Sequence, residues 1–185
     1  MADVKRVKAP FDDAAVRSLR AGDQVLITGT MLVARDAAHK RLVELIKAGK
    51  PLPVDVRGQV IYYAGPAPAK PGQVTGSVGP TTSGRMDAYT PTMLEQGLKG
   101  MVGKGSRTAE VKQAMQKFGA VYLAAVGGAG ALIAKSVKQA EVVAYEELGA
   151  EAIRRFVVED FPAIVVNDCY GGDLYQEGVK QYRRA

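Results

Sequence analysis

Val25-Leu26-Ile27-Thr28-Gly29-Thr30, with the stretch Ala34 to Ala48 just beyond it, sets the class of fold. The first run is apolar and β-branched and breaks at a glycine, which predicts a buried strand. The second is rich in Ala, Leu, Lys and Arg, carries Leu42, Leu45 and Ile46 at helical spacing, and stops at Gly49-Lys50-Pro51. A strand feeding a helix is one β–α unit, and the alternation recurs downstream. Gln59 to Ala64 and Met101-Val102 read as strands, Met86 to Leu98 as a helix, and Thr108 caps a helix running to Lys117. Val121 to Val126 is a strand that enters Gly127-Gly128-Ala129-Gly130 and a small-residue helix to Val137. Val74 to Val78, Glu141 to Tyr145, Ile153 to Glu159 and Pro162 to Val166 read as further strands, and Leu174 to Tyr182 is amphipathic. Mixed hairpin-like and β–α units predict a single α/β or α+β domain.

Composition narrows the class of function. The 185 residues are 47% hydrophobic and 24% charged, enough for one well-buried core and unlike a disordered chain. No apolar run approaches the roughly 18 residues of a membrane-spanning helix. Met1 to Asp13 lacks the apolar stretch of a signal peptide, so a soluble, cytoplasmic protein is expected. A polar leader over residues 1–21, holding Lys5, Arg6, Lys8, Arg17 and Arg20, precedes a domain over 22–175 and a basic tail over 176–185. One cysteine, Cys169, and one histidine, His39, supply neither an internal disulfide nor a zinc or iron–sulfur ligand set. The net charge of +6 suits an anionic ligand or a partner protein. With no Trp and 6% aromatic residues, base-stacking platforms are scarce, which argues against nucleic acid.

Three strand ends run into glycine turns that bear cations or hydroxyls. They are Gly29 to His39 with Arg35 and Asp36, Gly79 to Arg85 with Thr81, Thr82 and Ser83, and Gly103-Lys104-Gly105. Glycine lets backbone amides approach a bound group, and the first amides of a helix favour an anion. Arg35 and Arg85 can each grip a carboxylate through two parallel hydrogen bonds, with Lys104 as a point charge. The pattern fits a small polyanion. It also fits ordinary surface turns with helix caps, a first-turn Asp favoured by the helix dipole, and a structural histidine. Nucleotide motifs are excluded: Gly105 follows Lys104 where a phosphate loop needs Ser or Thr, and position 98 is Leu. Ala131-Leu132-Ile133 after Gly130 lacks the third glycine of a dinucleotide fingerprint.

Ala34-Arg35-Asp36-Ala37-Ala38-His39-Lys40-Arg41, Gly79-Pro80-Thr81-Thr82-Ser83-Gly84-Arg85-Met86-Asp87, Val102-Gly103-Lys104-Gly105 and Gly127-Gly128-Ala129-Gly130-Ala131 resemble the iron–sulfur hydro-lyases. More narrowly, they are similar to the β subunit of two-subunit class I fumarate hydratase and the C-terminal domain of its single-chain forms. Glu147-Leu148-Gly149-Ala150-Glu151-Ala152 and Asp160-Phe161-Pro162-Ala163-Ile164-Val165 are similar too.

The resemblance implies a swivelling three-layer β/β/α domain with a mixed sheet. It implies reversible hydration of fumarate to (S)-malate, with L-tartrate dehydration as the sister reaction. It places a 4Fe–4S cluster on a separate α subunit, in an assembly of two α and two β chains. Arg35, Thr81, Thr82, Arg85 and Lys104 then contact substrate. Thr81 is the proton-transfer candidate, and Asp36 and His39 either relay its proton or orient Arg35. A carbanion beside a carboxylate forms only if cations already face it, and those three basic residues would supply that field. A non-catalytic anion-binding module is the rival reading.

Overall fold

The computed structural model describes residues 4–184. Its elements are β1 (Lys5–Ala9), α1 (Asp13–Ser18), β2 (Gln24–Val33), α2 (Asp36–Lys47), β3 (Val60–Tyr62), α3 (Thr90–Glu95), β4 (Gly100–Gly103), α4 (Ala109–Phe118), β5 (Val121–Ala124), α5 (Gly130–Ala134), β6 (Val137–Ala144), β7 (Ile153–Asn167) and α6 (Leu174–Tyr182). β2, β3, β4 and β5 are successive parallel neighbours. β7 then runs antiparallel to both β5 and β2, which closes the pairing into a ring. β1 lies parallel on β2, and β6 lies antiparallel on β7.

Side chains of this mixed sheet alternate between two cores. Val60, Tyr62, Val102, Val121 and Leu123 point inward, where Phe156, Val158 and Phe161 of β7 meet them. Ile61, Met101 and Tyr122 point the other way, onto Leu42, Met93, Leu94, Val111 and Met115 of α2, α3 and α4. The period-2 alternation of a strand therefore builds both interfaces of the expected β/β/α layering.

Five elements differ from the sequence reading. The first 21 residues, expected as a leader, contain β1 and α1, and β1 pairs with β2 from Lys5↔Val25 to Ala9↔Gly29. Alternating Lys and Arg with Val and Ala is the signature of an edge strand, polar on its open side. Val74 to Val78 is not a strand. It folds against its own loop instead, with Ala67 N–H donating to Ser77 O and Gly76 packed on the Ala67 and Pro68 carbonyls. Met86 to Leu98 is not one helix: a 3-10 turn (Ser83–Met86) precedes α3, whose Pro91 starts the helix afresh. The helix after Gly130 ends at Ala134, where Ser136 Oγ caps Ile133 O, and Val137 already belongs to β6. The two strands read at 153–159 and 162–166 are one strand, β7, turned at Asp160 by a positive φ of 50°.

Candidate active site

Arg35 follows β2 and stands at the N-cap of α2, with no side-chain cap of its own. Glu151, from a second 3-10 turn (Glu146–Glu151), fills that role. Its Oε2 accepts the Ala37 N–H at 2.7 Å and its Oε1 pairs with Arg35 Nη2 at 3.3 Å. An acidic group here also matches the positive end of the helix. Asp36 then takes Arg35 Nε on Oδ2 at 3.1 Å and Arg85 Nε on Oδ1 at 2.7 Å. One carboxylate thus holds two guanidiniums side by side. Burial pushes Asp36 up, but its own backbone amide and the two arginines outweigh that and leave it below the usual carboxylate value. It is a tether rather than a base. Arg85 is half exposed, and its Nη1 and Nη2 have no protein partner among the described residues.

The other two turns are joined through their backbones. Thr81 N–H donates to Tyr63 O at 2.6 Å, Lys104 N–H donates to Thr81 O at 3.2 Å, and Ser83 N–H donates to Lys104 O at 2.8 Å. The result is a parallel bridge, Thr82↔Lys104. Only a glycine at 103 permits it, because a Cβ there would lie 2.0 Å from Ser83 Oγ. Ser83 is buried, and its Oγ lies 2.9 Å from Tyr122 Oη, which itself donates to Gly105 O at 2.7 Å. The phenol has one proton, so the serine donates to it. Lys104 is exposed and reaches toward Gly127, where a Cβ would lie 3.7 Å from its Cδ.

The structure therefore brings Arg35, Asp36 and Arg85 together directly, and Thr81, Thr82 and Lys104 through their backbones. The 3-10 turn from Ser83 to Met86 links the two groups. His39 is set apart from the surface, fully buried and edge-on to Tyr63 with ring centroids 5.2 Å apart. Its Nδ1 lies 2.9 Å from Arg35 O, and a carbonyl only accepts, so Nδ1 carries the proton. Burial pulls its pKa down to about 4, against the Arg35 hydrogen bond and with Arg107 adding to the drop. It is neutral at pH 7. No hydrogen bond joins either Asp36 or His39 to the Thr81 hydroxyl among the described residues. Both touch Arg35 instead, one at its guanidinium and one at its carbonyl.

Sequence reasoning named Ser83 among the hydroxyls of its turn, but did not single out Glu151, Tyr122, Asp87 or Arg107 as parts of this site. Glu151 and Asp87 stand inside the quoted runs, but their partners Arg35 and Arg107 are distant in sequence and nothing local says what they face. Arg107, which no sequence motif marks, is 4% exposed in the structure. The residues present do not fit an iron–sulfur cluster. Among the described residues no group of three His, Cys, Asp or Glu can hold a metal, and Cys169 is the sole thiol.

Residues 2–178 match the family model Fumarase C-terminus. The chain belongs to that family. It is 47% identical over 157 residues to the anaerobic class I fumarate hydratase of Escherichia coli, covering 84% of this chain and 29% of that one. It is 44% identical to fumarate hydratase 2 of Leishmania major, covering 92% of this chain and 31% of that one. It is also 36% identical to the L(+)-tartrate dehydratase subunit beta of Escherichia coli, covering 96% of this chain and 90% of that one. The chain thus spans about three tenths of the fumarate hydratases it matches and nearly all of the tartrate subunit. No helix among the described residues is long and apolar enough to cross a membrane.

Proposed function

We propose that this chain is the β subunit of a two-subunit iron–sulfur fumarate hydratase, interconverting fumarate and (S)-malate in the cytoplasm. The observation that carries the reading is the free fork of Arg85. Its Nε is spent on Asp36, and the two terminal nitrogens are left for a carboxylate beside Arg35 and the Lys104 turn. Arg85 alone keeps the planar two-pronged grip that lysine lacks, while Arg35, with Nε on Asp36 and Nη2 on Glu151, adds its charge beside it. Removal of the proton beside a malate carboxylate leaves an electron pair delocalised into that carboxylate until it forms the double bond and hydroxide departs, and a preset cationic field stabilises that charge where it develops. Arg35, Arg85 and Lys104 supply that field, and the exposed Thr82 and half-buried Thr81 offer hydroxyls to the substrate. Thr81 is the proton-transfer candidate, with Asp36 and His39 orienting Arg35. The 4Fe–4S cluster belongs to a partner α chain, in an assembly of two α and two β chains in which this domain swivels over the site.

L-tartrate dehydration is the second reading, favoured by the near-complete coverage of the tartrate subunit. Tartrate and malate are both 2-hydroxy dicarboxylates, so the same cations serve either. Anaerobic co-expression with a cluster-bearing α chain tests both. Absorbance of fumarate formed from (S)-malate, lost when either chain is omitted, supports the first reading. Turnover of L-tartrate alone supports the second. An intact cluster with no turnover of either, or turnover by this chain alone, overturns the two-chain reading.

A further inference from the structure

Arg107 lies three residues beyond Lys104, between the two substrate turns, and its side chain is wholly enclosed. Its Nε donates to Asp87 Oδ1 at 2.7 Å, and Asp87 Oδ2 accepts the Thr108 N–H at 2.8 Å. Both oxygens of the residue that ends the Arg85 turn are therefore held by the segment that follows Lys104. A second arm repeats the connection. Arg107 Nη2 donates to Thr90 Oγ1 at 2.7 Å, and Thr90 Oγ1 donates to Met86 O at 2.9 Å, one residue after Arg85. Its guanidinium also faces the rings of Tyr122 and Tyr63, 5.0 and 5.5 Å from their centroids. Those tyrosines are themselves parts of the site's frame, Tyr122 through Ser83 and Tyr63 through Thr81.

A buried cation is costly unless it is paired and hydrogen-bonded, so this one is held for a purpose that an apolar side chain would not serve. Every group it touches belongs to the turn that carries Thr81 to Arg85, to the helix behind it, or to the strands that anchor it. We infer that Arg107 is a positioning residue, which acts through Asp87 and Thr90 to fix Arg85 at its working distance from Lys104. The inference rests on the functional reading above. A lysine at 107 keeps the charge but has one nitrogen where the frame needs a fork with separate donors to Asp87 and Thr90.

The test is steady-state kinetics of the assembled two-chain enzyme with (S)-malate. Arg107→Lys and Asp87→Asn each lower kcat/KM at least tenfold, with most of the loss in KM, because misplaced cations weaken ground state and transition state alike. In an Arg85→Lys background, Arg107→Lys adds less than threefold, since the group it positions is already altered. Val16→Ala, which thins the inner core from α1, an element outside this frame, lowers Tm and leaves KM unchanged. A KM for Arg107→Lys within twofold of wild type, or losses that multiply in full in the double variant, overturns the inference. If the wild-type assembly turns over neither malate nor tartrate, the functional reading fails, and amide exchange of this chain still decides the frame. Arg107→Lys then speeds exchange at least tenfold in residues 81–87 and 103–108 and spares β7. Uniform or unchanged exchange overturns it.

Discussion

Arg85 shows how one side chain is divided between structure and chemistry. Nε belongs to Asp36, and the far edge of the guanidinium is open. Lysine offers one nitrogen for both tasks, so Arg85→Lys loses either the tether or the grip. Its half-exposed position makes the stability effect small, within about 0.5 kcal/mol. The loss in kcat/KM for the assembled enzyme is expected at about 10²–10³-fold, the scale of deleting one donor to a developing oxyanion. Kinetics beside a thermal melt check both halves, and near-wild-type turnover would rule out the clamp. Arg35, Arg85 and Lys104 stood out in sequence because each lies at a turn that the chain marks locally, Arg35 where β2 passes into α2, Arg85 after Gly84 and Lys104 between Gly103 and Gly105. Their supports were not. Glu151 lies 116 positions from Arg35 along the chain and meets it only through tertiary packing.

At the scale of elements, the join between β4 and the Thr81 turn depends on the missing side chain of Gly103. A methyl group there meets Ser83 Oγ at 2.0 Å, Tyr63 Cδ2 at 3.1 Å and Thr81 O at 3.2 Å. Ser83 cannot swing aside without breaking its bond to Tyr122, so Gly103→Ala must push the two turns apart. Overpacking of this kind costs about 1–3 kcal/mol. Gly127→Ala is the control: a methyl there touches Lys104 Cδ at 3.7 Å, an ordinary contact. Urea unfolding should show a lowered midpoint for the first variant and not the second; equal midpoints would remove Gly103 from the frame. Elements with local stop signals were readable, as with α2 and with α4, whose Thr108 caps the Val111 N–H and whose Gly119 takes a left-handed φ of 63°. Elements set by distant partners were not. β1 alternates charge and becomes a strand because β2 offers it an edge, while Val74 to Val78 is β-branched at each end and stays a loop because its carbonyl partners are already beside it.

For the whole molecule, the closed ring of strands puts one core inside and a second between sheet and helices, and His39 is sealed in the second with no exposed surface. Its pKa falls from 6.5 to about 4 on folding, chiefly by burial. The unfolded chain therefore binds more protons than the folded one between those values, and stability must fall as pH falls through that window. The contribution is fully present above 6.5 and amounts to about 3 kcal/mol, of which roughly 2–3 is gone by pH 4.5. Asp23, Asp36 and Asp173 also have lowered values, but they begin below an ordinary 3.8, so their share is lost only in stronger acid. Glu147 is lowered from 4.5 by its Arg41 hydrogen bond, so the interval from pH 6.5 to about 5 isolates the histidine. Urea unfolding across it should give a steep loss for the wild-type chain and a nearly flat line for His39→Asn, whatever the variant's absolute stability. The same slope in both would place the titrating group elsewhere and leave His39 protonated in the fold, with the Arg35 carbonyl still accepting from Nδ1 but with a charge buried between Tyr63 and Tyr89.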